Sequence, residues 1–187
     1  MKTLLVSALL VLSASGNAFA QDYGRVTLWA DPTHSSCEIV DPGSGIVQVH
    51  MFFEGSQPAS AVEFFAPTPQ CWEGTTWLGD VLASPFLKGG VSTHSEGIAV
   101  NFLSCVEPPA YLGYMSFLVS GGALPCCEYP VLPQTVHNRI TFVSCDFQNE
   151  YAGGGGSATV NANNSCRCPL PVATEPTTWG RVKSLYR

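Results

Sequence analysis

Hydrophobic and polar residues alternate with a period of two along most of the chain. In "RVTLWAD", Val26, Leu28 and Ala30 fall on one side and Arg25, Thr27 and Trp29 on the other. "GIVQVHMFFEG" sets Val47, Val49, Met51 and Phe53 against Gln48, His50 and Phe52. Short β-branched and aromatic runs follow: "SAVEFFAP", "GIAVNFLSC", "LGYMSFLVS", "RITFVSCD" and "SATVNAN". Such alternation predicts half-buried strands. Turn formers separate the runs, among them "DPGSG", "EGSQP", "APTPQ", "LKGG", "HSEG", "EPPA" and "SGGALP". "AGGGGS", Ala152 to Ser157, lacks the lysine of a phosphate-binding loop and leads into a strand, so it reads as a flexible hairpin loop. "TTWLGDVLASPFL" is the one stretch that suggests a helical turn, and Pro85 limits it. Seven or more short strands with frequent breaks predict an all-β fold: a disulfide-stabilised, immunoglobulin-like β-sandwich with a short C-terminal helical tail.

The two ends of the chain read differently from the middle. Residues 1–20 have the form of an export signal: Lys2, the apolar "LLVSALLVLSA", and the small-x-small site Ala18-Phe19-Ala20. Cleavage would leave Gln21 first, in a protein secreted to the periplasm, cell surface or extracellular space. No later run reaches the ~20 apolar residues of a transmembrane span. The expected organisation is a signal peptide (1–20), a β-sandwich domain (21–168), a Pro-rich linker (169–176) and an amphipathic tail (177–187). Pro169, Pro171 and Pro176 mark the linker as extended. In the tail, Thr177 or Thr178 can cap a helix on which Trp179, Val182 and Tyr186 share one face. Leu185 adds to its apolar content, and Arg181 and Lys183 lie off that face. Gly180 and the short length mean that such a helix needs a surface to fold against.

Charge narrows the choice of partners. Residues 21–175 carry four basic and fourteen acidic side chains. Such a body repels phosphate backbones, so nucleic acid is not expected as a partner. The eight cysteines, Cys37, Cys71, Cys105, Cys126, Cys127, Cys145, Cys166 and Cys168, are an even set behind a signal peptide and predict disulfides. Zinc is the rival, but no C-x-x-C pair occurs and no histidine lies beside either close cysteine pair. Strand-end positions suggest Cys105 with Cys126 or Cys127, and Cys145 with Cys166 or Cys168.

Candidate chemistry is sparse. His34, His94 and His137 lie in turn-like segments and His50 on a polar strand face, so all four read as surface polar residues. No G-x-S-x-G occurs, and the consecutive "HSE" of His94 to Glu96 is poorly spaced for a triad. No catalytic residue and no cofactor are expected. Asp146, Asn149 and Glu150 offer oxygen ligands to calcium, but no loop pattern fixes them. Trp29, on the polar side of its strand, is the candidate for stacking on a glycan or other ligand. Trp72 and Trp77, beside Cys71, read as packing residues.

The last third of the chain, "ITFVSCDFQNEYAGGGGSATVNANNSCRCPLPVATEPTTWGRVKSLYR", resembles the ending of a group of uncharacterised secreted proteins from environmental Gram-negative bacteria. There a short strand, a Gly-rich turn, a "VN" strand and a C-x-C precede a closing "TTWG-x-VK-x-LY". The segments "LWAD...SCEIVD" and "ASAVEFFAP" are similar to that group's first strands. The resemblance implies an exported β-domain with a family tail and brings no activity with it. It favours recognition of the tail by export or surface-assembly machinery, ahead of docking on the protein's own body, membrane-surface anchoring or disorder. The function expected is therefore an exported non-catalytic structural or interaction module, displayed through its tail. The alternatives are a carbohydrate- or protein-binding module, recognisable by an exposed aromatic groove, and a secreted hydrolase, recognisable by a histidine near a serine or carboxylate in a cleft.

Overall fold

The computed structural model describes residues 23–148 and 150–168. The expectations for the signal peptide, the linker and the tail, and for Asn149, fall outside these residues. Twelve strands form: β1 (Gly24–Trp29), β2 (Glu38–Ile39), β3 (Gly45–Gly55), β4 (Ala59–Phe64), β5 (Thr75–Leu82), β6 (Leu87–Ser92), β7 (Gly97–Val106), β8 (Ala110–Val119), β9 (Cys127–Pro130), β10 (Ile140–Val143), β11 (Glu150–Gly155) and β12 (Ser157–Val160). There is no helix among the described residues. The "TTWLGDVLASPFL" segment forms β5 and enters β6; Trp77 packs on the core from β5 while Leu78 is exposed, a strand pattern rather than a helical one. "LKGG", expected as a turn, belongs to β6.

Nine strands form one sheet in the order β5-β8-β3-β1-β11-β10-β4-β7-β6. The halves join through the parallel pair β1–β11, where Arg25 faces Gly154 and Val26 faces Gly155. An immunoglobulin domain instead keeps two separate sheets of four and three strands. The period-two pattern explains how the sheet folds over itself. Val26, Leu28, Val49, Met51 and Phe53 all turn inward, and Phe53 meets Phe102 of β7 and Phe142 of β10 at ring distances of 6.1 and 5.1 Å. The result is a β-sandwich with one continuous core. A second sheet, β2-β12-β9, adds Ile39, Tyr129, Ala158 and Val160 to it.

The two ends of the long sheet, β5 and β6, come back into contact. Asp80 of β5 makes the closure. Its side chain is fully buried and accepts hydrogen bonds from Lys88 Nζ (2.8 Å), the Thr93 amide (3.1 Å), the Thr93 hydroxyl and Trp77 Nε1 (3.3 Å). A buried carboxylate is tolerated only when it is paired and hydrogen-bonded in this way.

The glycine run is not a hairpin loop. Gly153, Gly154 and Gly155 are the inner part of β11, between β1 and β10. A Cβ on Gly153 would fall on the Phe142 ring, and one on Gly155 would fall on the Val131 carbonyl. Glycine serves here for close approach, which the composition of the run does not distinguish from loop flexibility. In β8, Gly113 has φ +131° and sits where the register with β3 shifts. The extra residue lets Tyr111 and Tyr114, three apart, lie on the same outer face.

All eight cysteines are bridged, as expected, but none of the suggested pairs forms. The bonds are Cys37–Cys168, Cys71–Cys127, Cys105–Cys145 and Cys126–Cys166. Neighbours in sequence were the wrong guide because spatial order in the sheet is not chain order. Cys105 ends β7 and Cys145 follows β10, and both strands pair with β4, so their bond spans the strand between them. Adjacent Cys126 and Cys127 serve different partners: Cys127 is buried against Cys71 and Trp72, while Cys126 holds the segment after β12.

Peptide mapping under non-reducing conditions should return these four pairs and no linkage of Cys105 to Cys126 or Cys127. Gly153→Ala should lower unfolding free energy by about 1–3 kcal/mol in urea denaturation, the usual cost of overpacking a tight core contact.

Candidate functional site

The outer face of β1, β3 and β8 carries a second set of aromatic residues. From β3, Ile46, Gln48, His50, Phe52 and Glu54 point outward. Arg25, Thr27 and Trp29 lie opposite Glu54, Phe52 and His50, and Tyr111 and Tyr114 lie opposite Phe52 and His50 on the other side. Half of this face is covered. The 31–37 loop folds over it, and the Cys37–Cys168 bond closes it, so Trp29, Phe52, Cys37 and Cys168 form a small core of their own. Trp29 is only 3% exposed. This corrects its expected role as an exposed stacking platform. Its indole donates to Thr27 Oγ1 (2.8 Å), and the His34 ring packs against it, tilted, at a centroid distance of 3.9 Å.

Polar groups fix the cover in place. The Thr27 hydroxyl donates to Glu54 Oε1 (2.6 Å), Arg25 Nε donates to Oε2 (2.9 Å), and His34 Nε2 lies 2.7 Å from Oε1. Burial works to raise the Glu54 pKa, but these hydrogen bonds and the Arg25 charge outweigh it and hold the carboxyl below its ordinary value. Asp31 organises the loop itself. It accepts hydrogen bonds from the amides of Thr33, Ser35 and Ser36 and from the hydroxyls of Thr33 and Ser35. They outweigh its burial and keep it ionised far below the usual carboxylate range.

The histidines are not simply surface residues. His50 is buried, and its Nδ1 shares a 2.9 Å hydrogen bond with the Tyr111 hydroxyl. Burial lowers its pKa against the pull of Asp31, which keeps it neutral at neutral pH. His137 meets Glu63 at 2.7 Å, and His94 stacks on Trp77 with Nδ1 3.0 Å from the Thr68 hydroxyl. Two histidine–carboxylate contacts thus exist, but neither has the form of a relay. In the His34 cluster the Thr27 hydroxyl bonds Glu54 directly and bypasses the imidazole. The "HSE" segment is dispersed, with Ser95 bonded to Ser92 and the Glu96 carbonyl to Thr135. Asp146 is engaged by Ser144 and the Gln148 amide, and Glu150 by Arg139. Trp72 packs on Phe117 and Tyr129 beside the Cys71–Cys127 bond, as expected.

The other half of the outer face is open. Leu118 of β8 lies between Ile46 of β3 and Thr76 of β5, Ser116 between Gln48 and Gly79, and Tyr114 between His50 and Val81. Ile46 is 66% exposed, Leu118 47% and Val81 45%. None of these positions carries a carboxylate, lysine or arginine, in a chain whose described residues hold twelve acidic and four basic side chains. At its β3 edge the face drops into an open groove of about 620 Å³, walled by Ala30, Glu38, Ile39, Val40 and Pro42 and floored by Ile46, Gln48 and His50. Sequence reasoning missed this arrangement by treating the outer side of the strands as polar. The available signal was aromatic: Trp29, Phe52, Tyr111 and Tyr114 all fall on that side.

No family model matches the chain, and no curated protein matches it. Solved structures do. A cohesin module of a family 33 glycoside hydrolase from Clostridium perfringens matches 76% of this chain and 99% of its own, at 11% identity and a TM-score of 0.50. The fold is similar to that of a cohesin module. A type I cohesin from Clostridium thermocellum, solved in complex with a dockerin, matches 77% of this chain and 97% of its own at 8% identity and a TM-score of 0.49. At such identities the likeness is one of fold.

The Glu54 cluster makes a pH-dependent prediction. A carboxylate whose folded pKa lies below its unfolded value stabilises the fold fully above the unfolded value, and that contribution is lost as pH falls through the folded one. Wild type should therefore exceed Glu54→Gln in stability by about 1 kcal/mol at pH 7. The gap should narrow below the ordinary pKa of 4.5. Urea denaturation at pH 7 and at pH 3 measures both.

Proposed function

We propose that this protein is an exported, non-catalytic protein-binding module, and that the open half of the outer face on β5, β8 and β3 is its binding surface. The observation that carries the reading is the absence of charge there, with Ile46, Leu118 and Val81 exposed in adjoining rows. An uncharged, partly apolar patch on an otherwise acidic domain marks an interaction surface, because charged groups are depleted where interfaces become dry. The sheet is rigidly held on its inner side, so the surface is preformed and association costs little ordering. The partner that fits is a protein with an apolar, uncharged face of its own. Cohesin-like architecture agrees with a binding role. The Clostridium thermocellum cohesin was solved with a dockerin, a fact about that protein which its fold likeness does not carry over.

A glycan-binding reading loses its main residue with the burial of Trp29, and the exposed residues of the open face are aliphatic rather than stacked rings. Export rests on residues 1–20 as read from the sequence. No helix among the described residues is long and apolar enough to cross a membrane.

The test is to isolate partners from the producing cell's envelope and secreted fractions, then to rebuild any complex from purified components. Wild type should bind a protein at defined stoichiometry, and Leu118→Asp should weaken binding at least tenfold while keeping the melting transition. Equal binding by Leu118→Asp, or binding to glycans alone, would remove this face from the function.

A further inference from the structure

The groove beside the open face has a specific candidate occupant in the same chain. The last described residue, Cys168, is bonded to Cys37, and the next residue after Cys37 is Glu38, the first residue of the groove wall. Cys168 is therefore anchored beside one end of the groove. The groove is apolar and acidic at once: Val40 is 71% and Ile46 66% exposed, and Glu38 stands in the wall with Asp41 beside it. Glu38 has no ion-pair partner among the described residues. Asp41 accepts hydrogen bonds from Trp72 Nε1 and the Gly43 amide.

Three of the domain's four basic side chains are already paired with carboxylates, Arg25 with Glu54, Lys88 with Asp80 and Arg139 with Glu150, and the fourth, Arg167, bonds the neutral Asn164 side chain. The remaining basic residues after the signal segment are Arg181, Lys183 and Arg187. They are interleaved with Trp179, Val182, Leu185 and Tyr186, the apolar residues that an exposed Val40–Ile46 floor would bury. Eight residues, Pro169 to Pro176, separate the two parts. An extended Pro-rich segment of that length reaches about 25 Å, enough to span the groove from its Cys37 end.

We propose that the C-terminal segment Thr177–Arg187 docks in cis into this groove, with its apolar residues on Val40 and Ile46 and its cations toward Glu38 and Asp41. The inference does not depend on whether the neighbouring face binds a partner. If it does, the docked segment borders that face along Ile46 and Gln48, and the two contacts compete.

The test uses the full mature chain and a zero-length carbodiimide reagent, which joins an amine to a carboxylate already in contact with it. Lys88 and Lys183 are the only lysines after residue 20. Unchanged β-type circular dichroism of wild type and each variant serves as the control for the folded state. The expected result is a Lys183 link to Glu38 or Asp41 within one chain, established with a mixture of isotopically light and heavy protein. Its yield should fall at least fivefold in Val40→Glu and in Trp179→Ala, and fall again in 0.5 M salt. Three results would each overturn the proposal while the fold is intact: no Lys183 link, links mainly to carboxylates elsewhere on the domain, or a link only between light and heavy chains.

Discussion

A sheet of nine strands has two free edges, and the fold depends on what is done with them. Here the edges are brought together, and the Asp80 carboxylate is what meets the returning strand. Lys88 neutralises it, and Thr93 fixes its direction with an amide and a hydroxyl. The arrangement does more to specify than to stabilise. A buried ion pair gains little over a well-packed apolar contact of the same volume, but a mispaired one costs several kcal/mol. The position of β5 against β6 is thereby fixed, in a sheet curved enough for Phe53 to meet Phe102 and Phe142.

The inside of the fold determines how the outside can be used. Because β3 is central in its half of the sheet, its outward residues cannot be covered by the core. The protein treats them in two ways. Near Glu54 it lays the 31–37 loop across the face and bolts it down with Glu54, Asp31 and the Cys37–Cys168 bond. Near Ile46 it leaves the face bare. The boundary falls at His50, which is buried on one side by Tyr111 and lines the groove on the other.

Much of the sandwich could be read from the sequence, since strands with one apolar face announce themselves through alternation. β1, β3, β4, β7, β8, β10 and β12 all lie within such runs. β11 was hidden because its information is steric: Gly153 is needed for the room it leaves to Phe142, and glycine carries no apolar signal. β5 and β6 were obscured by Gly, Pro and Asp at positions set by a bulge and a seam. The pairing of cysteines depended on sheet order, which local patterns do not contain. Trp29 was placed correctly on the outer side of β1, but the seven-residue 31–37 loop reburies what the strand exposes. The open face itself was implicit in the uncharged outer positions of β3 and β8; recognising it required knowing that β5 lies beside them.

The bond between Cys37 and Cys168 has a mechanical consequence. Consider tension applied between the N-terminal end of β1 and the chain beyond Cys168. The load passes from Cys168 directly to Cys37 and returns through β1, so the 131-residue span between the two cysteines lies outside the force path. Only the residues from Tyr23 to Cys37 can be drawn out, an extension of about 50 Å, against about 500 Å for an unbridged domain of this length. Pulled from its two ends, the module carries the load through β1, the strand that joins the two halves of the sheet, while β5, β8 and β3 lie outside the force path.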